Sequence, residues 1–387
     1  SGERRTVATL GGPWRQNRLS PNALTLDYAQ FSKDGGRTWS VSEPVLAFSD
    51  RAAQSQPYNG PLLVRYPFRA EALPRNCSLV LEQPEMYASI RVNGRELRFS
   101  QGEETPGKNT GTTSKKTPGD VSDGEPAGFY LDRAFRTAEI TPLLKKGDNE
   151  IVLALDFRSA VPSSYDADER YGTEIESVYL TGDFAVRGKE VAPPLADSWR
   201  NRSPYLQRTA PVNRLTGFVL TDEPAQVEGD MTLQGYPFFA GSMTLEKEFD
   251  LERTDSAARY FLTFPACEAT VIGINVNGTD LSPLFASPWE ADVTPWLRPG
   301  SNKICLTLTN TLRNLLGPHH HKGGEFTEVR PVTFRAGEDV SNTMTGEPVG
   351  ERDWYDARLK GRAALWRDAY HIIPSGLLAA PEIRRER

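Results

Sequence analysis

The chain has 387 residues and a formal net charge of −6, with 38% hydrophobic and 25% charged residues. This is the composition of a globular protein long enough to bury two cores. The acidic balance gives no basic footprint for nucleic acid, and no apolar run of about 18 residues is available for a membrane-spanning helix. The three cysteines, Cys77, Cys267 and Cys305, lack metal-ligand spacing and read as buried free thiols rather than a disulfide.

The chain opens Ser1-Gly2-Glu3, with neither Met nor a basic-then-apolar leader. A piece of a longer protein is therefore expected. After a polar lead, residues 23–29 alternate as a half-buried strand does. Asp34-Gly35-Gly36 signals a turn, and residues 38–41 are expected to resume extended structure. Further strands are expected at 60–68, 77–82 and 87–92. Asn93-Gly94 then suits a tight hairpin turn, because both residues tolerate positive φ. Residues 101–128 are rich in Gly, Thr, Lys, Pro and acid, the composition of a long surface loop serving as decoration or as a binding rim. Strands at 150–157 and 175–186 flank a Tyr- and acid-rich loop at 163–171. Residues 187–229 are rich in Pro and Arg and carry the expected boundary between domains 1–188 and 189–387, with 189–229 as the linker. The second domain repeats the pattern with strands at 243–249, 259–264, 270–276 and 303–309. A short helix is expected at 363–368, and closing strands at 370–373 and from Gly376 onward.

One stretch is written twice. Residues 138–151 read AEITPLLKKGDNEI and residues 291–304 read ADVTPWLRPGSNKI. Each follows an apolar run that closes on Val-Asn-Gly, at Val92-Asn93-Gly94 and Val276-Asn277-Gly278. A repeat of this kind decides architecture before any single residue does. Thr141 and Thr294 are expected to cap one helical turn, with Pro142 and Pro295 at its first position. Leu297 is expected to plug the end of the core, Gly300 to permit a left-handed exit, and Asn302 to bond its neighbouring backbone. Short strands, Gly and Pro turns and scarce helix give an all-β chain of two tandem antiparallel β-sandwiches, read as jelly rolls.

At these residues the sequence resembles a known family. Val276-Asn277-Gly278, Trp289, Asp292-Val293-Thr294, Leu297, Gly300 and Asn302 are similar to the signature of the galactose-binding-like sandwich that serves as the sugar-binding domain of family 2 glycoside hydrolases. Residues 236–241 and 312–320 resemble stretches near the C-termini of large bacterial glycosidases, with the family 106 α-L-rhamnosidase type the nearest. Residues 22–27 resemble the segment leading out of their catalytic domains. The first copy departs from the signature, with Glu139-Ile140-Thr141 in place of Asp-Val-Thr and the insert at 101–128. The resemblance implies a secreted or periplasmic glycoside hydrolase as the parent, with its catalytic domain and carbohydrate as partners. It also implies a structural Ca²⁺, for which Asp148, Asp156 and Asp250 are candidate donors; no other cofactor is expected.

Chemistry is sought outside the repeat. Hydrolysis of a glycosidic bond needs two facing carboxylates about 5–10 Å apart. Asp166, Asp168 and Glu169, beside Tyr165 and Tyr171, are the loop candidates, and they read equally as a solvated acidic loop. His319, His320 and His321 are three of the four histidines. Adjacent histidines rarely share one metal, although Glu325 and Asp353 would complete a site. With Arg313 and Asn314 they form the most pointed polar feature of the second domain, suited to hydrogen-bonding sugar hydroxyls or a sugar carboxylate. Trp354 and Tyr355 are candidate exposed sugar platforms, with Trp366 a further one, whereas Trp289 and Trp296 read as core. The leading expectation is a non-catalytic pair of carbohydrate-binding or domain-bracing modules from a larger glycoside hydrolase. A stand-alone β-sandwich glycosidase or lyase using loop carboxylates, and a protein–protein interaction module, are the alternatives.

Overall fold

The computed structural model describes residues 4–54, 56–99, 128–161, 164–166, 172–191, 212–317, 319–320 and 368–386. The fold is all-β and its described strands pair almost entirely antiparallel. By its contacts the chain divides into a larger unit, residues 1–25, 68–75 and 182–387, and a smaller unit, residues 26–67 and 76–181. The expected loop at 101–128, apart from Gly128, and the expected helix at 363–368, apart from Asp368, lie outside the described residues.

In the larger unit one sheet runs Gln226–Val227, Trp14–Arg18, Ser242–Leu251, Gly300–Thr309, Val271–Val276 and Thr279–Leu284. Register aligns Met243 with Leu308 and Leu245 with Leu306, and on the other side Ile274 with Leu306 and Val276 with Ile304. Period-two alternation thus puts one apolar stripe on one face. Ile304 and Leu306 are fully buried. Each buried side chain of this size contributes about 1.5–3 kcal/mol of transfer free energy. The facing sheet runs Arg4–Thr9, Glu382–Glu386, Arg259–Thr263 and Glu290–Asp292, and supplies Leu262 and Ile383 to the same core. A third group of strands pairs Asn213–Thr221 with Ala185–Glu190 and with Tyr370–Ile372.

The N-terminal 25 residues belong to this larger unit, not to the sandwich that follows them in sequence. Arg4–Thr9 pairs with Glu382–Glu386, and Trp14–Arg18 with Ser242–Leu251. The first is an edge strand with almost every residue exposed. Its sequence therefore carries none of the alternation that announces a strand.

In the smaller unit one sheet runs Phe129–Tyr130, Asp132–Glu139, Cys77–Glu82 and Val178–Gly182. The other orders Asn59–Ala70, Gly147–Arg158, Ser89–Val92 and Arg95–Glu96, with Tyr28–Ser32 pairing to Asn59–Ala70. Helix Val45–Gln54 follows Pro44 and is absent from the sequence expectations. Its signal was the buried set Val45, Phe48 and Ala52 at i, i+3 and i+7.

Both copies of the repeated stretch are held by the same bonds. Asn93 and Asn277 sit at φ +51° and +52°, and Gly147 and Gly300 at +92° and +82°. The Asn302 amide donates to the carbonyls of Arg298 (2.8 Å) and Gly300 (2.9 Å). Its oxygen accepts from the Arg298 N–H (3.0 Å) and from the Asn277 amide (2.8 Å). Asn277 donates also to the Trp296 carbonyl (2.8 Å) and accepts from the Lys303 N–H (2.8 Å). Asn149 and Asn93 repeat this bond for bond with Lys145, Gly147, Leu143 and Glu150. The threonine expectation needs correcting. Thr141 and Thr294 are the first residues of their 3₁₀ turns, not caps. Their hydroxyls accept from the N–H of Cys77 and Tyr260, at 2.8 Å in each case. They tie the turn to the neighbouring strand, and in the second copy Asp292 also accepts from the Thr294 N–H (3.0 Å) and hydroxyl (2.6 Å). Leu297 packs against the core only partly buried, whereas Val293 in the same crossing is fully buried.

Asn302→Ala would strip four hydrogen bonds from a fully buried amide. We expect a loss of about 3 kcal/mol in urea-unfolding stability. A change below about 0.5 kcal/mol, the size of an ordinary surface substitution, would contradict this assignment.

Candidate functional site

Four chain segments meet in the larger unit to form a polar cleft of about 690 Å³, within the size range of small-molecule sites. They are the end of strand Trp14–Arg18 with residues 19–21, the turn at residues 73–75, Asp183, and residues 221–223 after strand Asn213–Thr221. Arg18 is the hub. Its side chain is only 9% exposed. Its guanidinium forks onto Glu223, through Nε to Oε1 and through Nη2 to Oε2 at 2.8 Å. Nη2 also donates to Asp183 Oδ1 at 3.0 Å, and Nη1 to the Ser20 carbonyl at 2.7 Å. Burial works against the Arg18 charge, but the bonds to Glu223 and Asp183 outweigh it and raise its pKa above the ordinary arginine value. The Tyr236 hydroxyl donates to Glu223 at 3.3 Å.

The mouth of the cleft differs in character. Leu19 and Leu73 are 59% and 48% exposed, and Pro21 and Pro74 stand beside them. Arg75 and Asp222 are exposed there and have no partner among the described residues. Apolar patches beside unspent donors and acceptors are what a polyhydroxyl ring requires, since it presents C–H faces and hydroxyl edges. Both carboxylates facing Arg18 are bonded to it.

The predicted polar cluster of the second domain is buried and braced. Asn314, in the turn Arg313–Leu316, donates to the Ile373 carbonyl (2.8 Å) and accepts from the Ile373 N–H (2.9 Å). His319 Nε2 lies 2.9 Å from the Asn314 carbonyl, and the His371 N–H donates to the His319 carbonyl at 2.7 Å. The His319 and His320 rings pack on Tyr370 with centroids 5.4 and 4.5 Å away, and Phe238 stands 5.7 Å from His319. Both histidines are under 5% exposed. The structure therefore brings Arg313, Asn314, His319 and His320 together, with the Asn314 amide spent on backbone. Trp354, Tyr355, Trp366, His321, Glu325 and Asp353 lie outside the described residues, as do Tyr171, Asp168 and Glu169. Tyr165 is fully exposed and Asp166 exposed. Trp289 and Trp296 pack partly buried against the core of the larger unit.

Of the named Ca²⁺ donors, Asp148 and Asp156 are eight residues apart on strand Gly147–Arg158. That separation is about 26 Å, too far for one ion, and Asp250 belongs to the other unit. Among the described residues no group of three His, Cys, Asp or Glu side chains is placed to hold a metal. All three cysteines are free, and burial pushes the Cys267 thiol up to about 12.

One carboxyl in the smaller unit departs strongly from its ordinary value. Burial, then the neighbouring Glu174 and Glu82, raise Glu176 to about 7. Its carbonyl accepts from the buried Tyr66 hydroxyl at 2.7 Å. The sequence offered no motif for Glu176, Arg18, Asp183 or Glu223, because fold topology alone gathers them.

No protein-family model matches the chain, and no curated protein matches it. Among solved structures it is similar to a rhamnosidase from Novosphingobium sp. PP1Y, with 13% identity, 84% of this chain and 23% of that one covered, and a TM-score of 0.26. It is similar also to a β-D-mannosidase from Dictyoglomus thermophilum, with 13% identity, 74% and 31% coverage and a TM-score of 0.27. A β-glucuronidase from Ruminococcus gnavus gives 10% identity, 76% and 41% coverage and a TM-score of 0.26. The chain thus spans well under half the length of each, and likeness at this level assigns no family.

Two outcomes follow from the site. Arg18→Met leaves Glu223 and Asp183 facing each other without their cation, and should cost about 3 kcal/mol in urea unfolding; an unchanged midpoint would contradict the hub role. For Glu176 the folded pKa is raised, so its contribution is fully present below its unfolded pKa near 4.5 and is lost as pH rises through about 7. Glu176→Gln should therefore gain about 1–2 kcal/mol over the parent at pH 8, allowing for partial exposure, and nothing at pH 4. Equal differences at the two pH values would refute this.

Proposed function

We propose that the chain is a non-catalytic carbohydrate-binding module pair belonging to a larger glycoside hydrolase, and that the Arg18 cleft is one of its sugar sites. The observation that carries the reading is the cleft's division of labour. A locked Arg18–Glu223–Asp183 floor is held by an arginine bonded to two carboxylates, while Arg75 and Asp222 at the mouth keep their hydrogen-bonding capacity. A glycosidase needs two carboxyl groups facing one bond, and both carboxylates of this cleft face one arginine instead. The duplicated Val-Asn-Gly and Thr-Pro stretches support descent of both units from one sandwich of the sugar-binding type. By the same resemblance we place the parent in the periplasm or outside the cell, with its catalytic domain as the constant partner. A structural Ca²⁺ belongs to this reading as well, with donors still to be assigned.

A second reading has one observation in its favour. Glu176, raised to about 7 beside two further carboxylates and close to buried tyrosines, has the environment of a general acid. It would make the chain a β-sandwich glycosidase in its own right.

Titration calorimetry of the full chain against a panel of neutral and acidic oligosaccharides separates the two. Binding without turnover is expected, and Arg75→Ala with Asp222→Ala should weaken it about tenfold, the effect of losing charged hydrogen bonds, at unchanged melting temperature. Hydrolysis of any bound glycan, abolished by Glu176→Gln, would replace the proposal with the enzymatic reading. Failure to bind any glycan would leave domain bracing as the role.

A further inference from the structure

A second pocket, of about 250 Å³, lies within the smaller unit between the turn after strand Tyr28–Ser32 and helix Val45–Gln54. Its floor is apolar and fixed. Phe31 and Phe48 stack with centroids 4.1 Å apart and an interplanar angle of 14°, and each is 5% exposed. The helix is pinned beside it, because Arg51 donates through both terminal nitrogens to Glu43, at 2.8 and 2.7 Å. Thr38, Ser40 and Gln56 add hydroxyl and amide groups to the wall.

The rim carries a cation with aromatic neighbours and no carboxylate partner. Lys33 is exposed, and its ammonium lies 4.4 Å from the Tyr58 ring centroid and 5.6 Å from that of Phe48. No carboxylate stands within ion-pair distance of it among the described residues. Its sequence neighbour Asp34 is engaged elsewhere, accepting from the Thr38 hydroxyl (2.6 Å), the Thr38 N–H (2.9 Å) and the Ser32 hydroxyl (2.8 Å). Those bonds, the Thr38 hydroxyl first, hold its pKa down at about 2. Two cations and one carboxylate line the pocket, Lys33, Arg51 and Glu43, so its wall is net positive in a chain of net charge −6.

An apolar floor, the Thr38 and Ser40 hydroxyl oxygens, which have donated their protons to Asp34 and to the Val41 carbonyl and keep acceptor capacity, and one ammonium without a carboxylate partner suit a ring that carries both hydroxyls and a carboxylate. We propose that this pocket binds a single uronic acid residue of an acidic polysaccharide. The carboxylate lies on Lys33, and C–H groups of the ring meet the small exposed part of the stacked Phe31–Phe48 pair. The proposal rests on the carbohydrate-binding reading above and names a sugar class for a second site.

The test is calorimetry of the 387-residue chain with galacturonate and glucuronate oligosaccharides, their neutral galactose and glucose counterparts, and inorganic phosphate. Uronates should bind at least about tenfold more tightly than the neutral sugars, the worth of one charge-assisted bond. Lys33→Ala should remove that margin without shifting the melting temperature, Lys33→Arg should keep it, and added salt should shrink it. Uronate affinity unchanged in Lys33→Ala, or phosphate binding as tightly as uronate, would overturn the proposal. Neutral sugars that bind equally well through Arg75 and Asp222 would overturn it while leaving the carbohydrate reading intact. Absence of binding by every sugar would remove both.

Discussion

A chain that crosses the end of a sandwich leaves its sheet, turns and re-enters, and its backbone groups lose their ladder partners on the way. Buried N–H and C=O groups left without partners cost about 1–3 kcal/mol each. In both units that demand is met by two asparagines. Asn149 and Asn302 use both ends of their amides on the turn that precedes their own strand, and Asn93 and Asn277 bind them side chain to side chain. The hairpin turn and the crossing segment are therefore fastened to each other through side chains, and the position of each hairpin is set by the same bond that closes the sandwich. Only Asn has a donor and an acceptor on so short a stem, together with tolerance of positive φ. This explains why Asn and Gly are among the positions that the two stretches share.

The fold was legible in sequence wherever a strand has one wet and one dry face. Strand Gly300–Thr309 buries Ile304, Leu306 and Leu308 on alternate positions, and its period is plain. Legibility failed in three identifiable places. Arg4–Thr9 is an exposed edge and has no apolar face to read. Helix Val45–Gln54 follows a proline and is short, so its buried Val45, Ala47, Phe48 and Ala52 gave a weak signal beside the stronger strand patterns. Thr141 and Thr294 looked like caps because the sequence cannot reveal that Cys77 and Tyr260 lie closer than the turn's own N–H groups.

The functional residues were less legible than the fold for the same physical reason. Arg18, Asp183 and Glu223 are separated by 165 and 205 positions from the hub, and no local spacing links them. The pointed motif at residues 313–320 turned out to spend Asn314 on the backbone of Ile373. Of the residues conspicuous in sequence, Asn314, His319 and His320 are buried, whereas the cleft and the pocket are lined by residues without a sequence motif. Loops on a rigid sandwich are where binding groups accumulate, because the sheets fix their ends and leave their side chains uncommitted.

The central claim, binding without chemistry, is tested most directly in a single NMR sample of the full chain with an intact oligosaccharide. Saturation transferred from protein to the sugar ring protons reports binding, and the anomeric region of the same spectrum reports cleavage. Transfer to ring protons is expected, with an anomeric region that does not change over days. New reducing-end anomeric signals growing with time would contradict it.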